Sequence, residues 1–182
     1  MAGRTVEAMY ITEADWDRLS RHLGIEHRLP PRAVYFSVAA LARDDEIIAS
    51  WASTQMSSEA PPTSVWSNWI VTRQLLGHTE LTFNAPFYDS VEEASSFQSD
   101  KVTMEVGAAW ARPLSSVVEV GFDNVVSMVA QNPQQWWSTA TTVRLRFTDT
   151  SPVEVLGPTS LYQPAVRERW DQFVEAIRSS VA

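Results

Sequence analysis

Residues 132–147 read NPQQWWSTATTVRLRF, and the second half of this stretch decides the fold. Successive side chains on a strand point to opposite faces. Val143, Leu145 and Phe147, alternating with Arg144 and Arg146, therefore predict a strand with one apolar and one charged face. Carried backwards, the same parity puts Trp137 inside with Thr139 and Thr141, and leaves Trp136 outside with Ser138 and Thr142. A bulge or a later strand start would exchange the two rings. Neighbouring tryptophans do not enter one core together, so Trp136 calls for a cover or a partner.

Working outward, the same period recurs. KVTMEVGAAWARPL (101–114) alternates Val102, Met104, Val106, Ala108 and Trp110 over Thr103, Glu105 and Gly107. SSVVEVGF (115–122) is a short strand, with Asp123 and Asn124 as turn residues after it. EIIASWAST (46–54) sets Ile47, Ala49 and Trp51 against Ile48 and Ser50. VWSNWIVTRQLL (65–76) and ELTFNAPF (80–87) read as two strands joined through Gly77, and SPVEVLGP (151–158) ends the series. Between them, SSEAPPTS (57–64) is a turn-rich break, and YDSVEEASSFQSD (88–100) is an acidic loop without a period. About seven short strands at this spacing favour an antiparallel sandwich or barrel over a parallel βαβ arrangement.

Helical periodicity is confined to the ends. In ITEADWDRLSRHLG (11–24), Thr12 can cap a helix beginning at Glu13, Ile11 and Trp16 form a hydrophobic staple, and Gly24 stops it. Pro31 suits the first turn of a second helix in PRAVYFSVAALARDD (31–45), with Val34, Val38, Leu41 and Ala42 on one face. A buried strand is the competing reading of that run. AVRERWDQFVEAIRSSVA (165–182) is a strongly amphipathic helix whose stripe is Val166, Trp170, Phe173, Val174, Ile177 and Val181.

Composition narrows the function classes. The 182 residues are 45% hydrophobic and 20% charged, the mark of a folded chain long enough to bury a core without staples. There is no cysteine, so no disulfide and no thiolate metal site. The longest apolar run, AVYFSVAALA (33–42), is about half of what crosses a bilayer, and the N-terminus has no apolar signal core. The expectation is a cytoplasmic protein without an integral membrane segment. Net charge is −8, and beyond Glu46 no window gathers the basic residues. Nucleic acid and anionic membranes, which need a local basic patch, are disfavoured.

Several segments in sequence order resemble bacterial PH-like and GRAM-like domains. DDEIIASWAS (44–53) followed by WSNWIVTRQLL (66–76) is similar to the opening strand pair of that family, and ARPLSSVVEV (111–120) to a middle strand. TTVRLRFTD (141–149) and RERWDQFVEAI (167–177) are similar to its last strands and capping helix. The resemblance implies a mainly β (α+β) fold: a two-sheet antiparallel β-sandwich or barrel, its sheets nearly orthogonal, capped by a C-terminal amphipathic helix. It places a PH-like domain at 36–182 after an N-terminal helical extension at 1–35. Such domains bind protein segments, phosphoinositides or their own copies and are rarely catalytic. The phosphoinositide site does not carry over, because its matching stretch, Glu46 to Leu76, offers only Arg73.

No catalytic motif is present: no H-E-x-x-H, phosphate loop or G-x-S-x-G. Of the three histidines, His22 sits near the end of the first helix, where partial positive charge suits the dipole. His27 lies in a linker, and His78 in a turn with Glu80 and Asp89 as nearby candidates. None has a second histidine at metal-ligand spacing. The acidic runs Asp44–Glu46 and Glu92–Glu93 read as solvated turns. Among the eight tryptophans, Trp16, Trp51, Trp110 and Trp170 share faces with aliphatic residues and read as core. Trp66 and Trp69, three positions apart, face opposite ways.

These observations point to a non-catalytic interaction module that binds protein, or its own copy as a homo-oligomer, with no cofactor and no metal. Its candidate binding residues are Trp136, Arg144, Arg146 and Trp66, since Trp and Arg dominate interface hot spots. The rival cover for Trp136 is the N-terminal helix, folded over the same face. The alternative function is carriage of an apolar small molecule in a Trp-lined cavity between sheet and helix. An enzyme would need His78 or a carboxylate pair buried in a cleft.

Overall fold

The computed structural model describes residues 11–25, 27–43, 45–95, 101–129, 136–149, 152–158 and 163–181. Two antiparallel sheets carry the chain. The first has the order β1 (Ile47–Ser57), β2 (Thr63–Thr72), β3 (Leu75–Phe83), β4 (Met104–Pro113). The second has the order β5 (Val117–Val129), β6 (Trp136–Phe147), β7 (Val153–Leu156). Helices α1 (Glu13–Leu23) and α2 (Arg32–Ala42) precede them, α3 (Ser90–Ala94) lies between β3 and β4, and α4 (Pro164–Arg178) follows β7.

The first sheet is covered on both sides, and β2 shows why. Its even positions Trp66 and Ile70 pack with Leu19, Leu23, Val34, Tyr35 and Val38 of α1 and α2. Its odd positions Trp69 and Val71 pack with Val143, Leu145 and Phe147 of β6 and with Trp170, Phe173 and Ile177 of α4. Opposite facing of Trp66 and Trp69 thus feeds two separate cores. On α4, three side chains at helical spacing are fully buried, each contributing about 1.5–3 kcal/mol.

Local chemistry fixes the helix ends. Thr12 Oγ1 accepts from the Asp15 amide at 3.2 Å, and Gly24 N–H donates to Ser20 O at 3.0 Å. Segment 32–42 is a helix rather than a strand, and Pro31 precedes it without a side-chain cap. Glu93 supplies one from α3, accepting from the Arg32 amide at 2.8 Å. The acidic segment read as a plain loop therefore contains α3, itself capped by Asp89, which accepts from the Val91 and Glu92 amides. The expected boundary between residues 35 and 36 falls inside α2.

Three other expectations change. The β2–β3 joint is not at Gly77 but at Arg73–Gln74, where Thr72 Oγ1 accepts from the Gln74 and Leu75 amides at 3.2 and 2.9 Å. Gly77 lies inside β3, where a Cβ would stand 2.9 Å from Ile70 Cγ1. A bulge between Ile47 and Ala49 turns Ile47 towards α1 and α2 while Ala49 and Trp51 face the other core. Asp123 and Asn124 do not end β5. Asn124 takes a φ of 52° and the strand continues to Val129, a conformation that Asn tolerates better than most residues.

Gly157, just after β7, lies hard against α4. A Cβ there would meet Trp170 Cε2 and Cζ2 at 2.9 Å and Thr141 O at 3.0 Å. Both obstacles are fixed, a buried core ring and a backbone carbonyl. Gly157→Ala is expected to lower stability by about 1–3 kcal/mol in urea unfolding, and by more than Gly77→Ala, whose obstacle is an aliphatic side chain. Equal effects of the two would contradict this packing.

Candidate functional site

The four candidate residues separate in space. Trp66 is 0% exposed, and its Nε1 donates to Tyr88 O at 2.9 Å. It closes the core beneath α1 and α2 and presents no surface for a partner. Its parity was legible, but the sequence did not show that this face of the sheet has its own helical cover.

Arg144 and Arg146 do lie on the outer face of β6, half exposed, each beside carboxylates from the neighbouring strands. Arg144 Nη2 is 2.7 Å from Asp123 Oδ2 and 3.5 Å from Glu154 Oε1. Arg146 Nη2 is 2.6 Å from Glu119 Oε2, which its Nε also reaches at 2.7 Å. Glu119 faces Arg146 in the β5–β6 register, and Glu154 faces Arg144 in the β6–β7 register. Exposed pairs of this kind contribute about 0–1 kcal/mol each. Their larger effect is to neutralise both arginines, so a partner would have to compete with three carboxylates.

Trp136 pairs with Val129 at the far end of the β5–β6 hairpin; its side chain lies outside the described residues. It stands seven positions from Val143, roughly 23 Å along a strand. Leu19 and Leu23 of α1 pack on the side of the first sheet away from β6; the expected cover of Trp136 by this helix concerns a side chain outside the described residues.

An edge that sequence reading missed lies beside that hairpin. Strand β4 pairs only with β3, and β5 only with β6, among the described residues. A single 3-10 turn, Leu114–Ser116, joins the two edge strands. Along them Val106 is 52% exposed, Phe122 42% and Val125 60%, with Met104, Val118 and Val126 also exposed. Burial in β4 alternates only from Ala108 onward, while Met104 and Val106, expected on the apolar face, are exposed; alternation in a sequence does not reveal which strand ends the sheet.

His78 lies in β3 rather than in a turn, and it lines a cleft of about 300 Å³ with Ser67, Glu80 and Glu154. Its ring stacks on Trp69 at 3.9 Å, and Nε2 is 3.1 Å from Ser67 Oγ. Asp89 is elsewhere, paired with Arg28 at 3.3 Å. Burial pushes His78 down to about 4, so the ring is neutral at pH 7. A base that weak withdraws a serine proton poorly. No carboxylate bonds the ring among the described residues, so the Ser67–His78 pair lacks the orienting acid of a nucleophilic triad.

His22 also differs from expectation. Ser50 Oγ donates to His22 O at 3.1 Å and receives the His22 Nδ1 hydrogen at 3.2 Å. Burial, then the nearby Arg169, Arg21 and Arg18 charges, lower its pKa. The ring acts as a neutral hydrogen-bond donor rather than as a cation on the helix dipole.

Neutral His78 has a consequence for pH. Between its ordinary value of 6.5 and about 4, the unfolded chain binds a proton that the folded chain does not. Stability therefore falls as pH drops through that window, by up to about 3 kcal/mol from this group. Urea unfolding at pH 7 and pH 4.5 is expected to show a larger acid loss for the native chain than for His78→Gln; parallel losses would contradict the buried neutral ring. Comparison of the chain with family models, with curated proteins and with solved structures gives no match.

Proposed function

We propose that the chain is a non-catalytic, PH-like interaction module of the cytoplasm that binds protein, and first of all a second copy of itself, through the β4–β5 edge. The observation that carries this reading is the two consecutive strands β4 and β5, each at the end of its sheet, with six exposed apolar side chains between them in all. Unpaired edges are templates for strand addition. Charge favours a like partner at this place. The chain carries −8 overall, yet β4 holds no charged residue between Glu105 and Arg112, so two acidic copies can meet there with little repulsion. The succession of a four-stranded sheet, a three-stranded sheet and a closing helix supports the PH-like assignment. No helix among the described residues is long and apolar enough to cross a membrane.

The Trp-lined carrier is less well supported. Trp51 meets Trp170 edge-on at 5.0 Å, and Trp69 meets Trp110 at 5.5 Å. These rings pack on one another, and the space that Trp51 borders is an open cleft rather than a closed cavity. Phosphoinositide binding gains nothing either, since Arg73, the one base in the relevant stretch, lies 3.5 Å from Glu46.

Mass measured by light scattering over a concentration series tests the proposal. The native chain is expected to approach twice its 20.4 kDa as concentration rises. Val106→Glu and Val125→Glu should keep it monomeric, with stability within about 0.5 kcal/mol of the native chain, as for other surface changes. Trp136→Ala reports on the hairpin tip in the same assay. A mass of one chain at every concentration contradicts the reading.

A further inference from the structure

A second cleft, of about 340 Å³, opens between β1, the end of β7 and the first turns of α4. Its wall is mostly apolar: Trp51, Ala52, Leu156, Pro158 and Val166 contribute to it. Trp51 brings no unsatisfied polar atom, because its Nε1 donates to Leu156 O at 2.8 Å. Among the described residues one charged side chain lines this cleft, that of Arg169.

The bonding of Arg169 is unusual for this chain. Nη1 donates to Gly24 O at 2.6 Å, Nε to Ser50 O at 3.3 Å and Nη2 to Ser50 Oγ at 3.2 Å. All three acceptors are uncharged. Among the described residues no carboxylate lies within ion-pair distance of it, whereas Arg28, Arg112, Arg144 and Arg146 each have one. His22, a titratable group near it, is held from protonation by burial and by the charge of Arg169 itself, and so supplies no counter-charge. Burial lowers the pKa of Arg169, though a guanidinium keeps its proton at any working pH. A partly desolvated cation without a counter-charge is costly. Its three bonds to the chain leave two of five N–H donors, and a carboxylate matches such a fork better than any other common group.

We propose that this cleft is a binding site for a small organic monocarboxylate, whose charge lies against Arg169 and whose apolar body lies along Trp51, Ala52, Leu156 and Val166. A cleft of this size, apolar with one directing polar group, has the make-up of a small-molecule site. The site is separate from the β4–β5 edge and does not depend on self-association.

The test uses the full chain and a charge series of ten-carbon probes followed by calorimetry and by tryptophan fluorescence. Decanoate is expected to bind with one-to-one stoichiometry, at least tenfold more tightly than decanol or decylamine, and to weaken with added salt. Acetate should bind at least tenfold more weakly than decanoate, because it lacks the apolar body. Arg169→Met should reduce decanoate affinity at least tenfold and leave decanol unchanged; Arg169→Lys should retain part of it. Because Arg169 also ties α4 to Gly24 and Ser50, its variants are first checked for cooperative unfolding. If they fail it, the probe series on the native chain decides alone. Equal affinity for decanoate and decanol, undiminished affinity in a folded Arg169→Met, or no decanoate binding at millimolar concentration would each overturn the proposal.

Discussion

Burial of β2 on both faces is the constraint on which the rest of the structure depends. Trp66 and Ile70 on one side, and Trp69 and Val71 on the other, are all almost fully enclosed. A strand with large apolar side chains on both faces needs a layer on each. The second sheet and α4 form one layer, and α1 with α2 form the other. The N-terminal helices are therefore part of what holds the first sheet. Polar contacts tie these parts across long stretches of sequence: Glu93 of α3 caps α2, and Arg169 on α4 reaches Gly24 at the end of α1 and Ser50 on β1.

The second sheet has a different fate because only one of its faces is covered. Val143 and Leu145 are buried, while Arg144 and Arg146 on the reverse face meet carboxylates in ion pairs. On that face three carboxylates already answer the two arginines. Six of the exposed large apolar side chains lie on the edge strands β4 and β5, where no further strand pairs among the described residues. These strands, and Arg169 with no carboxylate partner among the described residues, are places where the fold leaves a physical demand unmet.

The sequence made legible much of what depends on one element at a time, though not the short helix α3 or the joint at Arg73–Gln74. The cap at Thr12, the stop at Gly24, the stripe Trp170–Phe173–Ile177 and the inward parity of Val143, Leu145 and Phe147 all follow from local spacing, and all are present. What depends on two elements was not legible. Ile47 follows the parity of its strand in the sequence, but a bulge turns it over. Asn124 looks like a turn residue because it tolerates positive φ, and it uses that tolerance to continue a strand. Trp66 was marked as a surface candidate because strand alternation gives opposite faces without saying that both are covered. The Arg169 site joins residues 24, 50 and 169, a combination with no trace in spacing.

Native-state hydrogen exchange tests the two-sided burial of β2 most directly. If α1 and α2 form one cooperative unit with the first sheet, the amides of Leu23, Val38, Trp66 and Trp69 exchange through the same global opening, with equal free energies and equal denaturant dependence. Exchange of α1 and α2 through a separate low-energy opening, with β2 still protected, would contradict the account and make those helices an appended piece.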